Sequence, residues 1–157
     1  MIILGIDPGS AVTGIGVVEF DGKNLRPLGF QAIRTPASAR LPLRLKQIYD
    51  EVAEAIRRFQ PQVVCIEQVF GGKNIQSALT IGQARGAALM AAVNSGIEIA
   101  EYSPAEIKKS LSGRGGASKE QVQFMVRNIL GMKENPAPLD CSDALAAAIC
   151  HAHKIRK

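Results

Sequence analysis

The chain opens on a short unbroken apolar run, residues 2–6 (IILGI), the pattern of a buried central strand. A Pro8-Gly9 turn signal follows, and Gly9 and Gly14 read as the glycines that let the strand turn back on itself. Residues 15–20 (IGVVEF) then read as a second strand, closed by the hairpin signal Asp21-Gly22. A weaker third strand covers about residues 25–34, and the short turns between the three imply an antiparallel meander. The period then changes. Leu45, Ile48, Tyr49, Val52, Ile56 and Phe59 fall on one face of an amphipathic helix, which Pro61 stops. Residues 63–66 form a buried strand ending at Glu67. Residues 75–95, rich in Ala and Gly, read as a helix with a small-residue face able to approach another helix closely. Residues 97–102 make a fifth strand.

Two capping boxes mark the next helices: Ser103-Pro104-Ala105-Glu106, with Pro at the first helical position, and Ser118-Lys119-Glu120-Gln121. Val122, Met125, Val126 and Ile129 form the inner face of the second, and Gly131 closes it. Residues 139–154 form a last, Ala-rich helix. The order β-β-β-α-β-α-β-α-α-α predicts an α/β domain: a mixed five-stranded sheet in which strands joined through helices run parallel, added to an antiparallel edge. No linker or internal repeat divides the chain, so residues 1–157 are expected to form a single domain.

Composition agrees with a packed globular chain: 46% apolar and 21% charged over 157 residues. The longest apolar runs fall short of the roughly 18–20 residues a membrane helix needs. The N-terminus MIILGIDPG lacks the basic region of a signal peptide, so a cytoplasmic protein with no membrane contact is expected. Cys65, Cys141 and Cys150, odd in number and without CxxC spacing, read as reduced thiols. His151 and His153 lie two apart near the end of the last helix. They do not share a face, and they read as a solvated helix end rather than metal ligands.

Charge sharpens this picture through its distribution. The formal net charge is +5, and the excess collects in residues 105–157, which carry nine basic and five acidic groups. Solvated helix faces account for that as readily as an anionic partner does. Four acids stand apart from the rest. Asp7 follows the first strand, where capping the turn is its bland role. Glu67 ends a run that should be buried, and a buried carboxylate needs a partner charge or a metal. If its strand lies parallel beside the first, both acids emerge at one sheet edge. Asp140 and Asp143, three apart at a helix start, project from one face. N-capping explains Asp140 but not both, given the wholly apolar ALAAAIC that follows.

Without these four, ten acids face nineteen bases, so the remaining surface is strongly cationic. An acidic cluster in such a surface repels phosphates unless divalent cations fill it. Carboxylate oxygens suit Mg²⁺ or Mn²⁺, and no Cys/His set suits zinc. Two such ions roughly 4 Å apart activate water and stabilise the leaving oxygen of a phosphodiester, which is nuclease chemistry.

Two rival readings stand beside it. D-x-G-S followed by T-G also resembles the first phosphate loop of the actin, Hsp70 and sugar-kinase superfamily. Those proteins clasp a nucleotide between two such domains, and no second D-x-G motif is present here; GRGGASK (113–119) lacks the G-K-[ST] of a P-loop, so no nucleotide cofactor is expected. A non-catalytic nucleic-acid-binding module would explain the basic third but leave Glu67 and the Asp140/Asp143 pair idle.

The motifs GIDPGS with TGIGVV, then EQVF, SALTIGQARGAAL, the spacing of Lys108 and Lys119, EQVQFMV and DCSDALAAAICHAH follow one another in the order and spacing of a known family. Over essentially its whole length the chain resembles the RuvC family of bacterial Holliday junction resolvases. The resemblance implies a ribonuclease H-like fold and a Mg²⁺-dependent endonuclease of recombination and DNA repair. It places the metal-binding carboxylates on Asp7, Glu67, Asp140 and Asp143, holding two Mg²⁺ (Mn²⁺ able to substitute) on a phosphate that water attacks in line. It puts Lys108 and Lys119 on the DNA backbone, Phe70 against bases at the junction, and Lys73 and Arg85 among further DNA contacts. It further implies a homodimer making two symmetric nicks in a four-way junction, with RuvA and RuvB, the branch-migration proteins, as partners. After EQVF the chain has Gly71-Gly72, a departure that makes this loop costlier to order on DNA.

Overall fold

The computed structural model describes residues 1–68, 74–113 and 115–156. Strands β1 (Ile2–Asp7), β2 (Val12–Phe20) and β3 (Leu25–Arg34) are followed by helix α1 (Leu41–Phe59), strand β4 (Val63–Glu67), helix α2 (Ile75–Asn94) and strand β5 (Glu98–Tyr102). Helices α3 (Pro104–Ser112), α4 (Lys119–Ile129) and α5 (Leu139–Ile155) complete the order, which is the one the sequence predicts. The sheet runs β3-β2-β1-β4-β5. β1, β2 and β3 pair antiparallel, whereas β4 lies parallel to both β1 and β5. The first three strands are joined by tight turns, and the parallel pairs need the crossovers that α1 and α2 supply.

Alternation along the strands sorts the core into two halves. Leu4, Ile6, Val64 and Ile66 face α1 and α2, packing with Ile48, Val52, Ala84 and Ala88. Ile3, Val63 and Cys65 face the other way, toward α3, α4 and α5, with Ile107, Val126, Ala148 and Ile149. Both capping boxes form, Ser103 with Glu106 on α3 and Ser118 with Gln121 on α4. Gly131, just past α4, takes the left-handed conformation that ends a helix.

Several local expectations change. β2 begins at Val12 rather than at Ile15, so Gly14 lies inside the strand, opposite Asp7. It does not let the chain turn. Gly9 has that role: a Cβ there would stand 2.2 Å from the Val12 carbonyl, and the Thr13 hydroxyl staples the turn by donating to the Gly9 carbonyl at 2.7 Å. His151 is buried rather than solvated, with Nδ1 2.7 Å from the Tyr102 hydroxyl. His153 Nδ1 sits 3.1 Å from the Ser110 hydroxyl. The end of α5 is thereby fastened to β5 and α3. Asp140 caps nothing: Pro138 holds the N-cap position of α5, and Asp140 falls within the first turn. The three cysteines are free and buried, and burial raises all three thiols, Cys141 to about 11.

Besides its side-chain packing, helix α5 approaches the sheet closely through its backbone. Gly5, Gly14 and Gly16 on β1 and β2 form a floor on which it rests. A Cβ on Gly5 would lie 1.9 Å from the Ala144 carbonyl oxygen, and one on Gly14 would lie 2.0 Å from that of Asp140. At Gly16 it would lie 2.7 Å from the Leu145 backbone nitrogen. Because the obstructing atoms at Gly5 and Gly14 are backbone, relief requires moving the helix. Gly14→Ala is therefore expected to destabilise the fold by about 1–3 kcal/mol or more, read as a lowered Tm. Gly116→Ala, with open space at its Cβ position and no left-handed φ, should leave Tm unchanged or slightly raised.

Candidate active site

β1 and β4, parallel and adjacent, end side by side at Asp7 and Glu67. Register puts both acids on the α5 face of the sheet, continuing the alternation from Gly5 and Cys65. Asp143, in the first turns of α5, completes a cleft of about 140 Å³ with Asp7, Glu67, Lys108 and Lys119. Pro104 and Ile107 of α3 and Val122 of α4 form its apolar wall. The seat of α5 on Gly14 is what brings Asp140 and Asp143 to this end of the sheet.

The turn carrying Asp7 is held from below. Arg44 of α1 donates to the Ser10 carbonyl and, through Nε at 3.1 Å, to the Thr35 hydroxyl, which itself donates to Ser10. Behind Glu67, Arg85 of α2 donates through Nε to the Glu67 carbonyl at 3.2 Å and pairs with Glu101.

The electrostatics of the cleft are those of acids crowded without enough counter-charge. Asp7 is pushed up to about 8, first by burial, then by the charges of Glu67 and Asp143, with Asp140 adding to them and Lys119 opposing. Burial and Asp143 likewise raise Glu67, against the pull of Lys119 and Lys108. Lys119 donates to Asp143 at 3.0 Å. Burial works against the charge of its ammonium, but the bond to Asp143 and the surrounding carboxylates outweigh it and raise its pKa.

Of the residues singled out in the sequence, Asp7, Glu67, Asp143, Lys108 and Lys119 meet in one cleft. Asp140 stands beside it, close enough to act on Asp7 through its charge, but does not line it. Among the described residues no three His, Cys, Asp or Glu side chains are gathered tightly enough to hold an ion as they stand. Arg85 lies on the opposite face of the sheet with its guanidinium engaged. Phe70, Lys73 and the Gly71-Gly72 pair lie outside the described residues. Arg44, Thr35 and the glycine floor were not singled out by motif. The floor alone left a trace, glycines alternating at 14 and 16 in a strand that pairs Gly16 with Gly5.

A family model described as "Crossover junction endodeoxyribonuclease RuvC" matches residues 3–151. The chain belongs to the RuvC family. The crossover junction endodeoxyribonuclease RuvC of Desulforamulus reducens is 49% identical over 152 residues, 97% of this chain and 93% of that protein. The solved structure of Thermus thermophilus RuvC superposes with a TM-score of 0.91 at 39% identity, covering 99% of this chain and 96% of the other. The T. thermophilus RuvC in complex with Holliday junction substrate gives 0.90 at 36%, with the same coverage. The ribonuclease H-like fold and the nuclease expectation both stand, and the phosphate-loop and non-catalytic readings are set aside.

The raised pKa of Asp7 has a consequence for stability. In the unfolded chain its carboxyl titrates near 4, in the folded protein at about 8. Between those values the folded state keeps a proton that the unfolded state has released, so the stabilisation is complete below pH 4 and lost as pH rises through 8. With EDTA present, the Tm of the protein is expected to fall between pH 5.5 and pH 8.5. Asp7→Asn should flatten that slope and melt higher than wild type at pH 8.5, as read by differential scanning calorimetry.

Proposed function

We propose that this RuvC-family enzyme resolves Holliday junctions in recombination and DNA repair by metal-dependent phosphodiester hydrolysis, one nick in each of two symmetry-related strands. The carrying observation is the cleft in which Asp7, Glu67 and Asp143 share one desolvated space with two lysines. Its acids are too crowded for all to hold their charge unaided, as the pKa of Asp7 records. The donor set fits hard divalent cations: carboxylate oxygens only, with no thiolate or imidazole among the cleft residues. Asp7, Glu67, Asp140 and Asp143 are the ligands we assign, for two Mg²⁺ replaceable by Mn²⁺. When bound, the ions activate water and offset charge on the scissile phosphate.

The chain's own residues do the rest. Asp7 and Glu67 sit on the ends of paired strands, a rigid base for ligands whose spacing must hold. Lys119 neutralises part of the cluster, and Lys108 and Lys119 offer ammonium groups to phosphate oxygens, positioning DNA without reading its sequence. Ile107 and Val122 shield one side of the cleft from water. Phe70 and Lys73, in the segment that follows Glu67, are proposed as contacts to junction bases and backbone.

A homodimer supplies two such clefts. Helix α2 supports it by exposing one stripe, Ile75, Leu79, Met90 and Val93, with Gly82 and Gly86 at its centre and nothing within 4 Å of either glycine's Cβ position. The spacing of three and four residues makes this a single helix face, with a flat middle that a second copy could approach closely. RuvA and RuvB are the partners we assign, in a cytoplasmic setting. No helix among the described residues is long and apolar enough to cross a membrane.

On a labelled synthetic four-way junction, wild type with Mg²⁺ is expected to give paired symmetric nicks that EDTA abolishes. Asp7→Asn, Glu67→Gln and Asp143→Asn should each lower the rate by more than about a hundredfold while retaining junction binding. Equal cutting by Asp7→Asn would overturn the assignment. For the dimer, Leu79→Arg is expected to sediment as a monomer where wild type sediments as a dimer.

A further inference from the structure

We infer that Arg85 is a positioning residue for Glu67, acting from behind the sheet, rather than a contact to DNA. The inference rests on the metal-ligand role proposed for Glu67. The cleft opens on the α5 face of the sheet, whereas Arg85 belongs to α2, which packs on the opposite face with Leu4, Ile6, Val64 and Ile66. Its side chain is only 20% exposed. Two of the three guanidinium nitrogens have partners within the fold: Nε donates to the Glu67 carbonyl at 3.2 Å, and Nη2 pairs with Glu101.

Those two partners sit on neighbouring strands. Glu67 is the last residue of β4, and Glu101 of β5 is paired in register with Ile66. Beyond Glu67 the chain leaves the sheet: Gln68 makes one last backbone bond, to the Tyr102 carbonyl at 2.8 Å, and the segment outside the described residues begins. The pairing with β1 ends at Ile66, whereas β1 itself continues to Asp7. Glu67 is thus an acid at a strand end with a ladder on one side only. A strand end of that kind is free to twist, and its carboxylate moves with it.

Arg85 removes that freedom. A bond to the main-chain carbonyl of the ligand residue fixes its peptide plane, and the ion pair to Glu101 fixes the arginine against β5. The planar fork makes both at once, which a lysine's single ammonium does not reproduce. Outer groups that orient a ligand typically matter about 10–100-fold in metal affinity or activity. Glu101, exposed and remote from the cleft, should therefore share the phenotype of Arg85, an effect that no DNA contact by Arg85 would produce.

The test measures Mn²⁺ binding to the free protein by electron paramagnetic resonance, junction affinity in EDTA across a salt series, and single-turnover cleavage at saturating enzyme. For Arg85→Gln, Mn²⁺ affinity and cleavage rate are expected to fall by about tenfold, with junction affinity and its salt slope unchanged. Glu101→Gln should move the same two quantities in the same direction, and the double variant should be no worse than Arg85→Gln alone. Weaker junction binding with a shallower salt slope and unchanged Mn²⁺ binding would make Arg85 a DNA contact and overturn the proposal. A lowered Tm with all three measurements unchanged would make it merely structural, and would also overturn it. Glu67→Gln separates the two levels. If it leaves Mn²⁺ binding intact, the metal reading fails and carries this proposal with it; if it abolishes binding while Arg85→Gln does not weaken it, this proposal alone fails.

Discussion

The contact on which this structure depends is the bare approach of helix α5 to strands β1 and β2. Three glycines let the helix come down on the strands, so that the carbonyl oxygens of Ala144 and Asp140 lie about where Cβ atoms on Gly5 and Gly14 would be, and Leu145 fills the space over Gly16. Close packing of backbone on backbone gains dispersion over a broad surface and fixes the helix in height as well as direction. It also settles where the acids meet. Asp140 and Asp143 ride on the first turns of that helix, and Gly14, which receives it, is the strand partner of Asp7. Fold and site share one contact.

A second constraint is electrostatic. The protein is cationic overall, yet the end of its sheet gathers acids that raise one another's pKa. Folding that cluster without cations is a cost the rest of the core must cover, and Lys119 offsets part of it by lying against Asp143. Clamps on the backbone complement this: Arg44 and Thr35 hold the turn after Asp7, and Arg85 holds the carbonyl of Glu67. These cations bind main-chain oxygens rather than the carboxylates themselves, so they restrain geometry without directly capping the ligand oxygens.

Much of this was legible in the chain. The short apolar runs with their turn signals, the helix-period face from Leu45 to Phe59 and both capping boxes set the element order, and the parallel placement of β4 followed from connectivity. The acids could be grouped because Glu67 ends a run too apolar to tolerate it. What stayed hidden depends on distance in sequence. Nothing near Gly14 announces a helix beginning more than a hundred residues later, so a turn role was the local reading, and the early start of β2 went unseen with it. His151 looked solvated because its partner, Tyr102, arrives from a strand about fifty residues earlier. The bond from Arg85 to the Glu67 carbonyl was hidden as well, because a basic residue in a basic protein carries no mark of which side of a sheet it will occupy.

The three cysteines show what the same dense interior means for chemistry outside the cleft. Peroxides and alkylating agents attack thiolates, and burial holds all three sulfurs in the thiol form, away from solvent. Cys65 and Cys150 lie in the core between the sheet and α5, and Cys141 stands on the turn of α5 between Asp140 and Asp143. The packing that positions the acids also buries Cys141 on the turn they share, so the fold that builds the cleft keeps this sulfur in its thiol form.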